Sequence, residues 1–151
     1  MMKLIVALTL LLAVTNVSGN FWRDCGDGTP APNWVTSPFC DAVRCTVTRG
    51  GTLLGQAQHT SPRSYSQLII RFTAFVLGIP VVIPNTPGNE NACTQLADGV
   101  TCPTPANTPI VWNINLPIPT TVPALNNAPV RIELSEGGTS VVCAMVTAII
   151  L

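Results

Sequence analysis

The chain has 151 residues, of which 47% are hydrophobic and 9% charged, with seven basic side chains against seven acidic ones. Average chains carry about 25% charged residues. The composition therefore excludes a disordered chain, which needs low hydrophobicity and high net charge, and it leaves no basic footprint for nucleic acid. Fourteen prolines and eleven glycines argue against long helices, and the length suits one domain with its own core.

Met1, Met2 and Lys3 precede an apolar run over residues 4–14 that only Thr9 interrupts. A bilayer of about 30 Å needs roughly 20 such residues, so the run is too short to span it. The basic start, the short apolar stretch and the small residues Val17 and Gly19 describe a secretory signal peptide cleaved after Gly19. The expected organisation is a signal peptide over 1–19 and a single domain over 20–151. Cleavage removes Lys3, the only lysine. Pro80, Pro84 and Pro87 break up the next apolar stretch, so the mature chain is expected to be soluble and extracellular.

All six cysteines (Cys25, Cys40, Cys45, Cys93, Cys102 and Cys143) follow this segment. An even count in a small secreted domain reads as three disulfides, for which sequence alone allows 15 pairings. Spacing favours the local loops Cys40–Cys45 and Cys93–Cys102, leaving Cys25 with Cys143. A metal site is the rival reading. It finds no C-x-x-C pair and only one histidine, His59.

Period-2 alternation marks the strands in chain order. Val43, Cys45 and Val47 alternate with polar neighbours. Leu53, Gly55, Ala57 and His59 share one phase of the next run. Leu68, Ile70, Phe72, Ala74 and Val76 share a phase, then Ile110, Trp112, Ile114 and Leu116, then Val130, Ile132 and Leu134. Residues 141–151 form a last, nearly continuous apolar strand. Turn clusters separate the runs at residues 49–51, 60–62, 85–88 and 136–138. Six to eight short strands at this spacing predict an all-β, immunoglobulin-like antiparallel sandwich. No helix, repeat or domain boundary is expected.

Enzymatic signatures are missing. The sequence holds no G-x-S-x-G elbow, no H-E-x-x-H, no phosphate-cradling glycine loop and no dinucleotide fingerprint. Asp24 with Asp27, and Glu133 with Glu136, are the carboxylates close enough in sequence to suggest glycoside hydrolysis. They read better as solvated turns and strand ends. His59 falls in the apolar phase and reads as a strand-end residue near a cavity mouth rather than a catalyst. No enzyme, metal or cofactor is expected.

Several segments in fixed order carry a resemblance. They are Trp22-Arg23-Asp24-Cys25-Gly26; Ser37-Pro38-Phe39-Cys40 with Cys45 and Arg49-Gly50; Leu77-Gly78-Ile79-Pro80-Val81-Val82-Ile83-Pro84 before Cys93; Cys102-Pro103; Leu116-Pro117-Ile118-Pro119; and Val142-Cys143-Ala144. Together they resemble the MD-two-related lipid-recognition (ML) domain, in particular the Niemann–Pick type C-two sterol carriers and the group-two mite allergens. The resemblance implies a two-sheet sandwich with the same three disulfides and an apolar cavity between the sheets for a sterol, fatty acid or other lipid. Arthropod relatives are linked to sterol handling, chemical signalling and recognition of microbial lipids.

On that reading Leu53, Ala57, Leu68, Ile70, Phe72, Val76, Ile110, Trp112, Ile114 and Leu116 are the expected walls. Gly55 and Ala57 either leave room or admit a bulky neighbour. The loops after Gly78-Ile79-Pro80 and after Leu116-Pro117 are the expected mouth. The aromatic residues of the sterol carriers are replaced there by Ile83 and Val122, with Ile118 between, which argues against strict cholesterol specificity. Trp22 and Trp34 read as packed edge residues or a membrane-touching surface.

The one glycosylation triplet, Asn16-Val17-Ser18, lies inside the signal segment, and Asn107-Thr108-Pro109 fails at its third position. Secretion is thus favoured over glycan-directed lysosomal delivery. The expected partner is a sterol or fatty-acyl lipid, delivered by a monomer to a membrane or membrane receptor. The alternative is innate-immune recognition of a microbial lipid, for which Arg63 and Arg71 would have to supply a basic rim. A disulfide-stapled surface or adhesion domain would instead have a solidly packed sandwich.

Overall fold

The computed structural model describes residues 20–85 and 90–151. The expected signal peptide and most of the expected 85–88 turn lie outside the described residues. Nine strands form among them: β1 (Trp22–Arg23), β2 (Trp34–Thr36), β3 (Cys45–Val47), β4 (Thr52–Thr60), β5 (Ile69–Val76), β6 (Ile79–Ile83), β7 (Pro109–Pro117), β8 (Leu125–Glu136) and β9 (Thr139–Ile150). One 3₁₀ turn, Ala92–Thr94, follows Asn91, whose side chain accepts from the Cys93 amide.

The larger sheet runs in the order β1-β9-β8-β5-β6, and β3 also pairs with β9; the smaller sheet is β2-β4-β7. The pairings are antiparallel, as expected, with one parallel exception, β3 with β9. Strand β9 has β8 on one edge. Its other edge is covered piecewise by β1 at Met145 and Val146, by the Pro30 carbonyl at the Cys143 amide (2.9 Å), and by β3 at residues 148–150. Covering an edge this way removes a template for aggregation.

The alternation read from the sequence is the alternation observed. Leu53 and Ala57, then Ile70, Phe72 and Ala74, then Trp112, Ile114 and Leu116, then Val130, Ile132 and Leu134 are buried in one core between the sheets. Three additional strands escaped the alternation reading. β1 and β2 have only two and three residues, too few to display a period. β6 is apolar on both faces and contains Pro80, which an edge strand tolerates because one row of its amides needs no partner. It pairs with β5 through a two-residue turn, Leu77-Gly78, with both φ values positive (52° and 79°). That is the backbone of a type I′ turn, where asparagine and glycine are usual and a leucine is costly.

Three disulfides close as spacing suggested: Cys25–Cys143, Cys40–Cys45 and Cys93–Cys102. The first ties the segment after β1 to the outward-facing side of β9, where Cys143 stands opposite Glu133. Packing of that segment explains why Val141, Val142, Cys143 and Ala144 are buried consecutively rather than alternately.

Candidate functional site

Three of the four paired carboxylates, Asp27, Glu133 and Glu136, are engaged in structural contacts. The Arg131 guanidinium contacts Asp27 at 2.8 Å and Glu133 at 2.9 Å, and the Ser140 hydroxyl donates to Glu133 at 2.8 Å. Glu133 is only 8% exposed, so its expected solvated position is corrected: the segment carrying Asp27 closes over it. Hydrogen bonds from the Thr29 amide and from Arg131 hold the Asp27 carboxyl down at about 2. Glu136 accepts from the Ser66 and Gln67 amides and from Arg63. Among the described residues no cluster of three or more histidine, cysteine or acidic side chains is placed to hold a metal.

The expected wall residues converge in one place, but they fill it. Leu53, Ala57, Leu68, Ile70, Phe72, Ile110, Trp112, Ile114 and Leu116 are each at most 5% exposed. The space left between the sheets near Leu53, Ile114 and Ile132 is about 10 Å³, room for about one water molecule. Two small residues contribute to this closeness. Ala57 lies opposite Trp112 across β4 and β7, where the short side chain accommodates the indole. A Cβ on Gly55 would stand 2.7 Å from the Thr36 carbonyl, so glycine lets β2 approach β4. Of the two roles open to Gly55 and Ala57, admitting bulk is the one adopted.

The most apolar open volume lies at one end. A groove of about 400 Å³ runs between β5–β6 and the segment from β7 to β8, within the usual ligand-pocket range of roughly 300–1,000 Å³. Its lining includes Val76, Val81, Ile83, Pro119, Val122 and Leu125. Thus Val76, Ile83 and Val122 share one site, and Ile118 (3% exposed) is buried beside it in the core. The nine core residues named above do not line this groove. Val81 and Leu125 join Val76, Ile83 and Val122 along it; the apolar run around Pro80 and the Pro123-Ala124-Leu125 segment were the signals for them.

The groove lacks formal charge. Residues 72–85 and 99–130 contain no Asp, Glu, Lys or Arg, and among the described residues these stretches supply its lining. Beside it Leu77 is 98% exposed, and Ile79, Val81 and Val82 are also exposed. Arg63 stands at the other end of the molecule, over the Tyr65 ring (4.8 Å) and beside Glu136 of the β8–β9 hairpin. Arg71 is on the outward phase of β5, paired with Glu133 at 3.9 Å.

His59 is 3% exposed, with neither ring nitrogen hydrogen-bonded. Burial lowers its pKa from 6.5 to about 4. It sits near the Thr60–Pro109 end of the β4–β7 pair, whereas the groove adjoins the Thr52–Pro117 end. Its expected place near the mouth is therefore corrected to the opposite end.

No curated protein sequence matches the chain. A crystal structure of a Niemann-Pick type C2 protein from Japanese carpenter ant matches with a TM-score of 0.72 at 20% identity, covering 86% of this chain and 98% of that one. Chicken MD-1 complexed with lipid IVa matches with a TM-score of 0.49 at 11% identity, over 83% of this chain and 85% of that one. The family model described as the ML domain matches residues 19–150. The chain therefore belongs to the ML-domain family, a family of non-enzymatic lipid-recognition domains.

Proposed function

We propose that the protein is a secreted carrier for a sterol or fatty-acyl lipid, which it takes up through the groove lined by Val76, Ile83 and Val122. The observation that carries this reading is an uncharged, apolar groove of about 400 Å³ at one end of an ML sandwich. Burying the apolar surface of a lipid there contributes about 25 cal/mol per Å² removed from water. The packed space between the sheets is what the surface or adhesion-domain alternative expects; the ML family match and the open groove favour the carrier, and a sterol entering between the sheets would require the wall residues Leu53, Ala57, Leu68, Ile70, Phe72, Ile110, Trp112, Ile114 and Leu116 to part as the ligand replaces their mutual contacts. The exposed side chains of Leu77, Ile79 and Val82 give the rim a surface suited to meeting a membrane or an apolar receptor face.

The three disulfides and the signal-like residues 1–19 support the secretory pathway. No helix among the described residues is long and apolar enough to cross a membrane. A phosphorylated microbial lipid would want several cations at the rim; Arg63 stands at the other end and Arg71, half-exposed and 3.9 Å from Glu133, is a single cation, so the neutral-lipid carrier is the preferred reading. Delipidated protein titrated with a fluorescent sterol and a fluorescent fatty acid tests it. Saturable micromolar binding of either is expected, and binding of neither defeats the proposal.

A further inference from the structure

At the end opposite the groove a pocket of about 180 Å³ is bounded by His59, Ser61 and Tyr65 on one side and by Pro30, Ser140 and Val142 on the other. It is separated from the groove by most of the length of β4, about 20 Å at roughly 3.4 Å per residue. An engineered apolar cavity of about 150 Å³ in another protein takes up benzene. This pocket has similar room, and its wall is partly polar.

The polar part is unusual in being both buried and incompletely bonded. The His59 imidazole is 3% exposed and both nitrogens lack a partner. A buried polar group left without a hydrogen bond costs about 1–3 kcal/mol, so a molecule that satisfied it would recover part of that cost. Beside it the Ser61 and Tyr65 hydroxyls, 4% and 7% exposed, share one hydrogen bond of 3.0 Å. Two hydroxyls sharing one bond keep one proton to donate elsewhere. The pair is held firmly: the Tyr65 amide donates to Thr104 Oγ1 (2.9 Å), the Thr104 amide to the Tyr65 carbonyl (2.8 Å), and the Asn107 amide to the Ser61 carbonyl (2.7 Å). Pro30 and Ala31 are exposed, so this wall is thin and faces solvent.

We propose that this pocket is a second binding site, for a small uncharged molecule about the size of a benzene ring that carries a hydroxyl. The hydroxyl both donates and accepts, which suits the spare proton of the Ser61–Tyr65 pair and, once the enclosed imidazole turns toward the pocket, a donor or acceptor nitrogen of His59. The ring or short chain takes the apolar remainder formed by Pro30 and Val142. An anion is disfavoured because no cation is among the pocket's lining residues, Arg63 beside Tyr65 being engaged with Glu136, and because the buried imidazole stays neutral down to about pH 4.

His59 is the only histidine, so its ring C–H resonances are directly assignable by NMR. Phenol, benzene and benzoate are titrated into the full-length mature protein, with a fluorescent lipid read in parallel at the groove. Phenol is expected to shift the His59 resonances saturably at millimolar concentration, at least fivefold more tightly than benzene or benzoate, without displacing the groove probe. Tyr65→Phe, which keeps the ring packing, is expected to weaken phenol at least fivefold, as is His59→Phe read on Tyr65 signals. No saturable His59 shift, equal binding of benzene, an unaltered Tyr65→Phe, or loss of phenol binding when the groove is loaded would each overturn the second site. Since lipid binding is read separately, its failure and the failure of this site are told apart.

Discussion

Arg131 of β8 joins Asp27, in the segment that follows β1, to Glu133 on its own strand, at 2.8 and 2.9 Å. One guanidinium thus fixes the N-terminal segment to the sheet and neutralises a carboxylate that the same segment buries. Replacing Arg131 with Met leaves Glu133 without its main counter-charge. A loss of about 2–3 kcal/mol is expected in urea unfolding, and a loss below 0.5 kcal/mol would show the network to be ornamental. Because the Asp27 carboxyl is held below its ordinary 3.8, at about 2, its contribution is present above pH 3.8 and fades as pH falls toward 2.

His59 sets a different pH dependence. Its pKa falls from 6.5 to about 4 on folding, so between these values the unfolded chain binds more protons than the folded one. Stability therefore rises with pH across that window, is full above about 6.5, and loses about 3 kcal/mol on acidification to pH 4. Denaturant titrations at pH 7 and pH 4.5 should show the difference shrink in His59→Leu. An unchanged difference would place the acid sensitivity elsewhere.

At the groove, Val122→Asp puts a carboxylate where the lining is uncharged. Val122 is partly exposed, so folding should be little affected. Affinity for a fluorescent lipid is expected to fall at least tenfold with a Tm change under about 4 °C, which corresponds to roughly 1 kcal/mol or less for a domain of this size. Unaltered affinity would remove Val122 from the site.

Gly55→Ala tests the approach of the small sheet's first two strands. The added methyl would meet the Thr36 carbonyl at 2.7 Å, forcing β2 outward at a cost of about 1–3 kcal/mol. Slower-exchanging amides of Val35 and Thr36 should become fast in hydrogen exchange if β2 separates; unchanged protection there counts against it.

Removal of the Cys25–Cys143 bridge by a double serine substitution opens a loop spanning a separation of 118 residues. The chain-entropy account expects a loss of roughly 4–5 kcal/mol. Equilibrium unfolding of the variant under non-reducing conditions measures it, and a loss under 1 kcal/mol would mean that residues 20–30 are held by β1 and Arg131 alone.

Much of the sandwich was legible because one face of each long strand packs and the other does not. Ile110, Trp112, Ile114 and Leu116 write that rule plainly. It fails where another layer covers the second face, as at Glu133, or where a strand is too short for a period, as at Trp34–Thr36. Alternation also says which side chains face inward but not whether they touch. Trp112 opposite Ala57 fills space that the pattern alone could have left for a ligand. Ile83 and Val122, named through the family resemblance, lie along one groove. The pocket at His59 was not legible, since it depends on Pro30 and Val142 arriving from distant parts of the chain.

Strand β9 hydrogen-bonds with β1, β3 and β8, and Cys143 within it is the partner of Cys25. Most of the large sheet therefore has its centre in a strand that follows all of its partners in the chain. While the chain is being synthesised, β1 and β3 lack their pairing strand, and only the short Cys40–Cys45 and Cys93–Cys102 loops can close on local contacts. Folding of this domain thus waits on β9 and is dominated by long-range closure, the slow regime for β-proteins. A truncation within residues 139–150 should abolish the whole larger sheet rather than fray one edge.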